Sequence, residues 1–78
     1  MNWAFNVDTH CHEAYSHRWL YEIWEDLSFP EAFRDPMLRR THPNGKKGEW
    51  RTYPSIAAAT KAANRHANRV AKKIHKST

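Results

Sequence analysis

EAYSHRWLYEIWEDL, residues 13–27, is the stretch on which the fold turns. Tyr15, Trp19, Ile23 and Leu27 recur at steps of four, and Leu20 and Trp24 flank the same face. Glu22, Glu25 and Asp26 fall largely on the other face. That is the spacing of an amphipathic helix. Trp19, Tyr21 and Ile23 also alternate, which is the spacing of a strand. Length favours the helix, as does the larger number of apolar residues it gathers together. Residues 13–27 are therefore expected to be helical, with the rings serving as core.

Those bulky side chains need a partner surface, and the last third of the chain offers one. Ser55 follows Pro54 and is a good N-cap, its hydroxyl accepting from a free first-turn N–H. Neither glycine nor proline occurs after it, and Ala57, Ala58, Ala59, Ala62 and Ala63 have the highest helix propensity available. The sequence predicts one helix over Ser55–Lys76. Ile56, Ala59, Ala63, Ala67, Val70 and Ile74 share one of its faces. Alanine permits close packing on a sheet but buries little area itself. A basic ridge of Lys61, Arg65, Arg69, Lys72 and Lys76 runs roughly opposite, with Asn64 and Asn68 beside it. Such a ridge suits a solvated face, a phosphate-contacting face or a face for an acidic protein.

Between and before these segments the reading is extended. Trp3, Phe5 and Val7 alternate with polar or small residues, as in a strand. Ser28 and Glu31 have capping-box spacing for a short turn of helix through Arg34. Asp35-Pro36 is a break. Met37–His42 and Glu49–Tyr53 are expected to pair as a hairpin. Its turn is either Asn44-Gly45 alone or all of Pro43–Gly48. The expected order is β-α-β-β-α. The fold class expected is α+β, one small domain over residues 1–78, with a three-stranded sheet packed on two helices.

The 78 residues lie near the lower limit for an unaided core, and ten aromatic side chains offset the small size. The only cysteine, Cys11, excludes an intramolecular disulfide and fits a reducing compartment. No apolar run approaches a bilayer span. A cytoplasmic protein with no membrane partner is expected. Charge is segregated along the chain. Residues 1–35 hold Asp8, Glu13, Glu22, Glu25, Asp26, Glu31 and Asp35 against Arg18 and Arg34. Residues 36–78 hold eleven bases against Glu49 alone, and the whole chain carries +5. A one-sided field of this kind points to polyanions or acidic partners. The plainer alternative is that the acidic half faces the basic half.

Catalytic and metal motifs are weak. His10, Cys11, His12 and His17 are zinc-ligand types without the paired spacing of a zinc motif. Asp8-Thr9-His10-Cys11-His12 resembles the metal-binding opening of amidohydrolase-type barrels such as the TatD-like nucleases. A barrel of that kind needs on the order of 250 residues, which excludes the family. Gly45 and Gly48 make no phosphate loop, Cys11 has no spacing that assembles a Cys–His nucleophile, and Glu13 and Glu22 are no recognisable acid–base pair. No metal, cofactor, small-molecule substrate or enzymatic activity is expected.

Leu38 to about Val70 is similar in pattern to the small DNA-binding domains at the N-termini of phage integrases. It runs strand, turn, Trp50-Arg51-Thr52-Tyr53, then Ser55 and the alanine-rich helix. In overall style the chain is also similar to small bacteriophage accessory proteins, anti-CRISPR inhibitors among them. The first resemblance implies a non-enzymatic DNA- or RNA-binding module. Arg39, Arg40, Lys46, Lys47 and Arg51 would be its hairpin contacts, extended by Lys61, Arg65, Arg69 and Lys72. The second implies an inhibitor or adaptor that uses its charged surface on an acidic or nucleic-acid-binding host protein.

Overall fold

Residues 13–27 are not a helix. In the computed structural model, which describes residues 1–76, most of them form a β-hairpin. Strand β2 (Cys11–Ser16) pairs antiparallel with β3 (Trp19–Trp24), from Cys11 opposite Trp24 to Ser16 opposite Trp19. Only His17 and Arg18 remain for the turn, with φ of 51° and 69°. Positive φ at both central positions marks a type I′ turn, whose twist matches an antiparallel pair. Such turns are normally signalled by Asn-Gly, and this one carries neither residue. Of the four side chains at i+4 spacing, Tyr15 and Leu27 are exposed. The alternating set Trp19, Tyr21 and Ile23 is the one that faces inward. The expected three-stranded sheet on two helices is thereby replaced. The fold remains α+β, with a five-stranded antiparallel sheet in the sequential order β1 to β5 and one C-terminal helix.

The remaining strands are β1 (Ala4–Asn6), β4 (Met37–Thr41) and β5 (Arg51–Thr52). Helix α1 (Ile56–Lys76) begins where the sequence places it. The Ala58 N–H donates to Ser55 Oγ at 3.1 Å, the expected N-cap bond. Ala59, Ala63 and Ala67 are buried against Tyr21, Ile23 and Leu38, and Trp3, Trp19, Tyr53 and Ile56 pack around the margin. The small alanine methyls let α1 lie close to the sheet, while β3 and β4 supply the volume. Lys76 ends the helix; its side chain lies outside the described ones. Among the described residues no helix is long and apolar enough to cross a membrane.

Neither expected turn occurs in the β4–β5 hairpin. The His42 carbonyl accepts from Gly45 N–H at 2.8 Å, and His42 N–H donates to Lys46 at 2.9 Å. The loop is therefore Pro43-Asn44-Gly45, with Gly45 at φ 93°. This is the three-residue hairpin that closes a turn with a left-handed residue. Thr41 then pairs with Lys47, and Gly48 N–H donates to the Arg40 carbonyl at 2.8 Å. Leu38 pairs with Arg51, so Glu49 and Trp50 together oppose Arg39 alone. That is a β-bulge, and it shortens the expected return strand Glu49–Tyr53 to two residues. The short helical turn is a 3-10 turn, Glu31–Phe33, entered from Pro30 without a side-chain cap. Ser28 Oγ instead donates to Asp26 at 2.6 Å.

Candidate functional site

Alternation along β4 sends neighbouring arginines to opposite faces of the sheet. Glu22 is the register partner of Arg39, and Tyr21 that of Arg40. Arg39 therefore lies on the face away from α1. Its Nε and Nη2 donate to Glu22 Oε1 at 3.1 and 2.9 Å, and its guanidinium lies 4.5 Å from the Trp50 ring centroid. Glu22 is 5% exposed. The same face carries Glu13, directly opposite Glu22 and held by Asn6 Nδ2 at 3.0 Å. The charged strand residues on this face are Glu13, Glu22 and Arg39, and Glu22 already occupies Arg39.

The other face forms the basic site. Arg40 and Arg51, from β4 and β5, project there beside Leu38. Arg65 and Arg69 approach from the flank of α1. Together with Glu49, Tyr53 and Ala62 they line an open groove of about 280 Å³. Its direct continuation is lined by Trp19, Arg40, His42, Lys46, Lys47 and His66. Among the described residues the one ion pair is Arg39–Glu22, so no carboxylate is paired with the groove cations. Acidic and basic halves of the chain therefore meet as a pair at one point only.

Six of the nine residues singled out in the sequence come together here: Arg40, Lys46, Lys47, Arg51, Arg65 and Arg69. Arg39 does not, for the reason just given. Lys61 and Lys72 are exposed and line neither the groove nor its continuation. Trp19, His42, His66 and Lys73 were missed. Lys73 was legible as the next four-residue step after Arg65 and Arg69. His66 was legible by phase, three residues from Ala63. The rings of Trp19 and His42 meet only through the sheet and its loop, which no spacing shows.

His66 sits at the centre of the site. Its Nδ1 is 2.8 Å from the buried Tyr21 hydroxyl, and its ring packs edge-on against Trp19 at 4.5 Å. Burial lowers its pKa to about 4, and Arg40, Arg69 and Lys73 push the same way. Burial raises the Tyr21 pKa, against the smaller opposing effects of Arg40 and Arg69. The central imidazole is therefore neutral at physiological pH, and the positive field comes from arginine and lysine alone.

The residues of the weak metal and thiol motifs are spread over both faces. Cys11 is buried beside Glu22 and Glu13, and burial above all raises its pKa, which the Thr9 carbonyl contact only partly opposes. His12 packs against Phe5, and His10 occupies the β1–β2 turn at φ 57°. Among the described residues no group of three or more His, Cys, Asp or Glu side chains is placed to hold a metal ion. Comparison with protein-family models, with curated proteins and with solved structures finds no match.

Proposed function

We propose that this chain is a small, non-enzymatic nucleic-acid-binding module whose contact surface is the groove between the β4–β5 hairpin and α1. The observation that carries the reading is the convergence of Arg40, Arg51, Arg65 and Arg69 on one open groove whose lining holds a single carboxylate, Glu49, with no ion pair to any of them among the described residues. Four cations placed together repel one another, and phosphate oxygens would relieve that repulsion while accepting forked guanidinium bonds. Lys46 and Lys47 continue the positive surface along the hairpin. The similarity of Leu38–Val70 to integrase N-terminal domains supports the same class of ligand, through a hairpin leading into a helix. The opposite face, with Glu13 and Glu22 against Arg39, would attract a polyanion less.

Salt titration tests this. If roughly six cations touch duplex phosphates, log affinity should fall against log salt with a slope of about −5. Replacing Arg65 and Arg69 by glutamine, a good helix former, should flatten the slope without loss of helicity. No binding of duplex or single strand at low salt would sink the reading. A tight complex with a host protein that survives nuclease, yet weakens with the same substitutions, would instead make the groove the surface of an inhibitor or adaptor.

A further inference from the structure

Trp19 divides the groove's continuation into two unlike compartments. Its ring lies 4.8 Å from His42 and 4.5 Å from His66, at interplanar angles of 68° and 69°. On one side of this aromatic wall are Arg40, Lys46 and Lys47. On the other is an open cleft of about 610 Å³ with a chiefly apolar lining. Pro43 and Val70 contribute to that lining, while Arg69 and Lys73 stand at its rim. The imidazole of His66 adds a flat neutral surface there, since burial and the nearby cations disfavour its protonation. An open apolar cleft lined by aromatic rings beside two sets of cations complements a ligand that joins flat rings to anionic links.

Resting on the nucleic-acid reading above, we infer that this cleft takes an unpaired base of a single strand, with the flanking phosphates on Arg40, Arg69 and Lys73. In a duplex both faces of each base are covered by stacked neighbours and its edge is paired, so the aromatic wall cannot reach it. A single strand can splay a base outward onto aromatic side chains at little cost. The basic groove alone would hold either form. Trp19 and His42 add the preference for the unpaired one. The same chemistry belongs to a free mononucleotide, which differs by having only one phosphate to spread over cations on both sides of the wall.

The test is fluorescence anisotropy of a labelled 12-nucleotide strand, the same strand annealed to its complement, and the same strand made abasic at every position. Single strand should bind about tenfold tighter than duplex or abasic strand, the scale of one base stack. Trp19 packs against the core, so the informative variant is His42→Ala, at an exposed loop position. It should weaken single-strand binding several-fold and leave the salt slope unchanged. Equal affinity for strand, duplex and abasic strand, or an unaffected His42→Ala, would overturn the base pocket while the basic groove stood. Nucleoside monophosphates that bind as tightly as the 12-mer would overturn it in favour of a mononucleotide site. Absence of all binding at low salt would remove both readings.

Discussion

Arg39 and Arg40 are adjacent in sequence and should behave oppositely when replaced by methionine. Methionine keeps most of the stem and removes the charge and the donors. At Arg39 the change strips a 5% exposed Glu22 of both its guanidinium bonds, and leaves it opposite a second carboxylate, Glu13. Breaking a fully buried pair costs about 3–5 kcal/mol. The Arg39 side chain is 20% exposed, so water retains some access, and about 2–3 kcal/mol is the better figure. A domain this small loses about 4–8 °C per kcal/mol, which puts the fall in melting midpoint at about 10–20 °C. Duplex affinity and its salt slope should not change while the protein is folded. Arg40→Met should reverse the pattern, with a near-native melt and a salt slope shallower by about one. Adding Glu22→Gln to Arg39→Met should restore at least half the lost stability, because the stranded charge is gone. Circular-dichroism melts and salt-dependent anisotropy on the same samples read both quantities. An Arg39→Met protein that melts within about 3 °C of wild type would refute the buried pair. One that flattens the salt slope as much as Arg40→Met would move the binding surface to the opposite face.

Replacing His17-Arg18 by Asn-Gly should raise the melting midpoint, because glycine at position 18 lacks the Cβ that opposes positive φ, worth about 1 kcal/mol, and asparagine at position 17 tolerates that region better than histidine. The same change inside a helix would lower it, so the sign alone separates the hairpin from a helix over residues 13–27. Gly48→Ala should destabilise by about 1–3 kcal/mol in a chemical-denaturation series, since the new Cβ would stand 2.8 Å from the Arg40 carbonyl oxygen. Folding stability should also fall as the pH drops from about 6.5 to about 4, because the unfolded chain takes up a proton on His66 that the folded chain resists. The loss should be about 2–3 kcal/mol across that window, none of it above the unfolded pKa. His66→Gln should show a shallower dependence between those pH values, and an unchanged profile would show that His66 is not the group responsible.

Helix α1 was legible because several signals agree over a long window: a serine cap, alanine propensity, a continuous apolar seam and no breaker. The hairpin at 13–27 was not legible, because Trp19 and Ile23 satisfy both the four-residue and the two-residue period. Only Tyr21 separates the two readings, and one residue was outvoted by Tyr15 and Leu27, which turn out to be exposed. The turn was silent for a related reason. Its geometry requires positive φ, and the chain supplies His17 and Arg18, whose side chains announce nothing of the kind. Of the nine residues singled out from charge, six line the groove or its continuation. Arg39 was misplaced because charge counting carries no parity, and sheet register decides which side of a strand each arginine serves.

Parity also explains why the groove needs the opposite face. A one-residue slip of β4 against β3 would exchange Arg39 and Arg40, sending Arg39 toward α1 and Arg40 toward Glu22. Electrostatics scarcely distinguishes those registers, because both residues are arginines. Three packing features place the arginines instead, two of them in the β4–β5 pairing and one in the core. Gly48 accepts the close approach of the Arg40 carbonyl, which a residue with a Cβ would resist. The bulge at Glu49 and Trp50 places the indole where a guanidinium one residue before Arg40 can lie over it. Leu38 must also remain on the α1 side to fill the space that Ala59 and Ala63 leave open. The alanine seam selects the register of β4 on β3 through Leu38, and the bulge and Gly48 fix how β5 meets β4 in it. In that register Arg40 and Arg51 stand beside Arg65 and Arg69, while the chain's acids at Glu13 and Glu22 are held on the far side of the sheet. The charge segregation along the chain thereby becomes, apart from Arg39 on one side and Glu49 on the other, a segregation between faces, and the basic face is the one proposed for a polyanion.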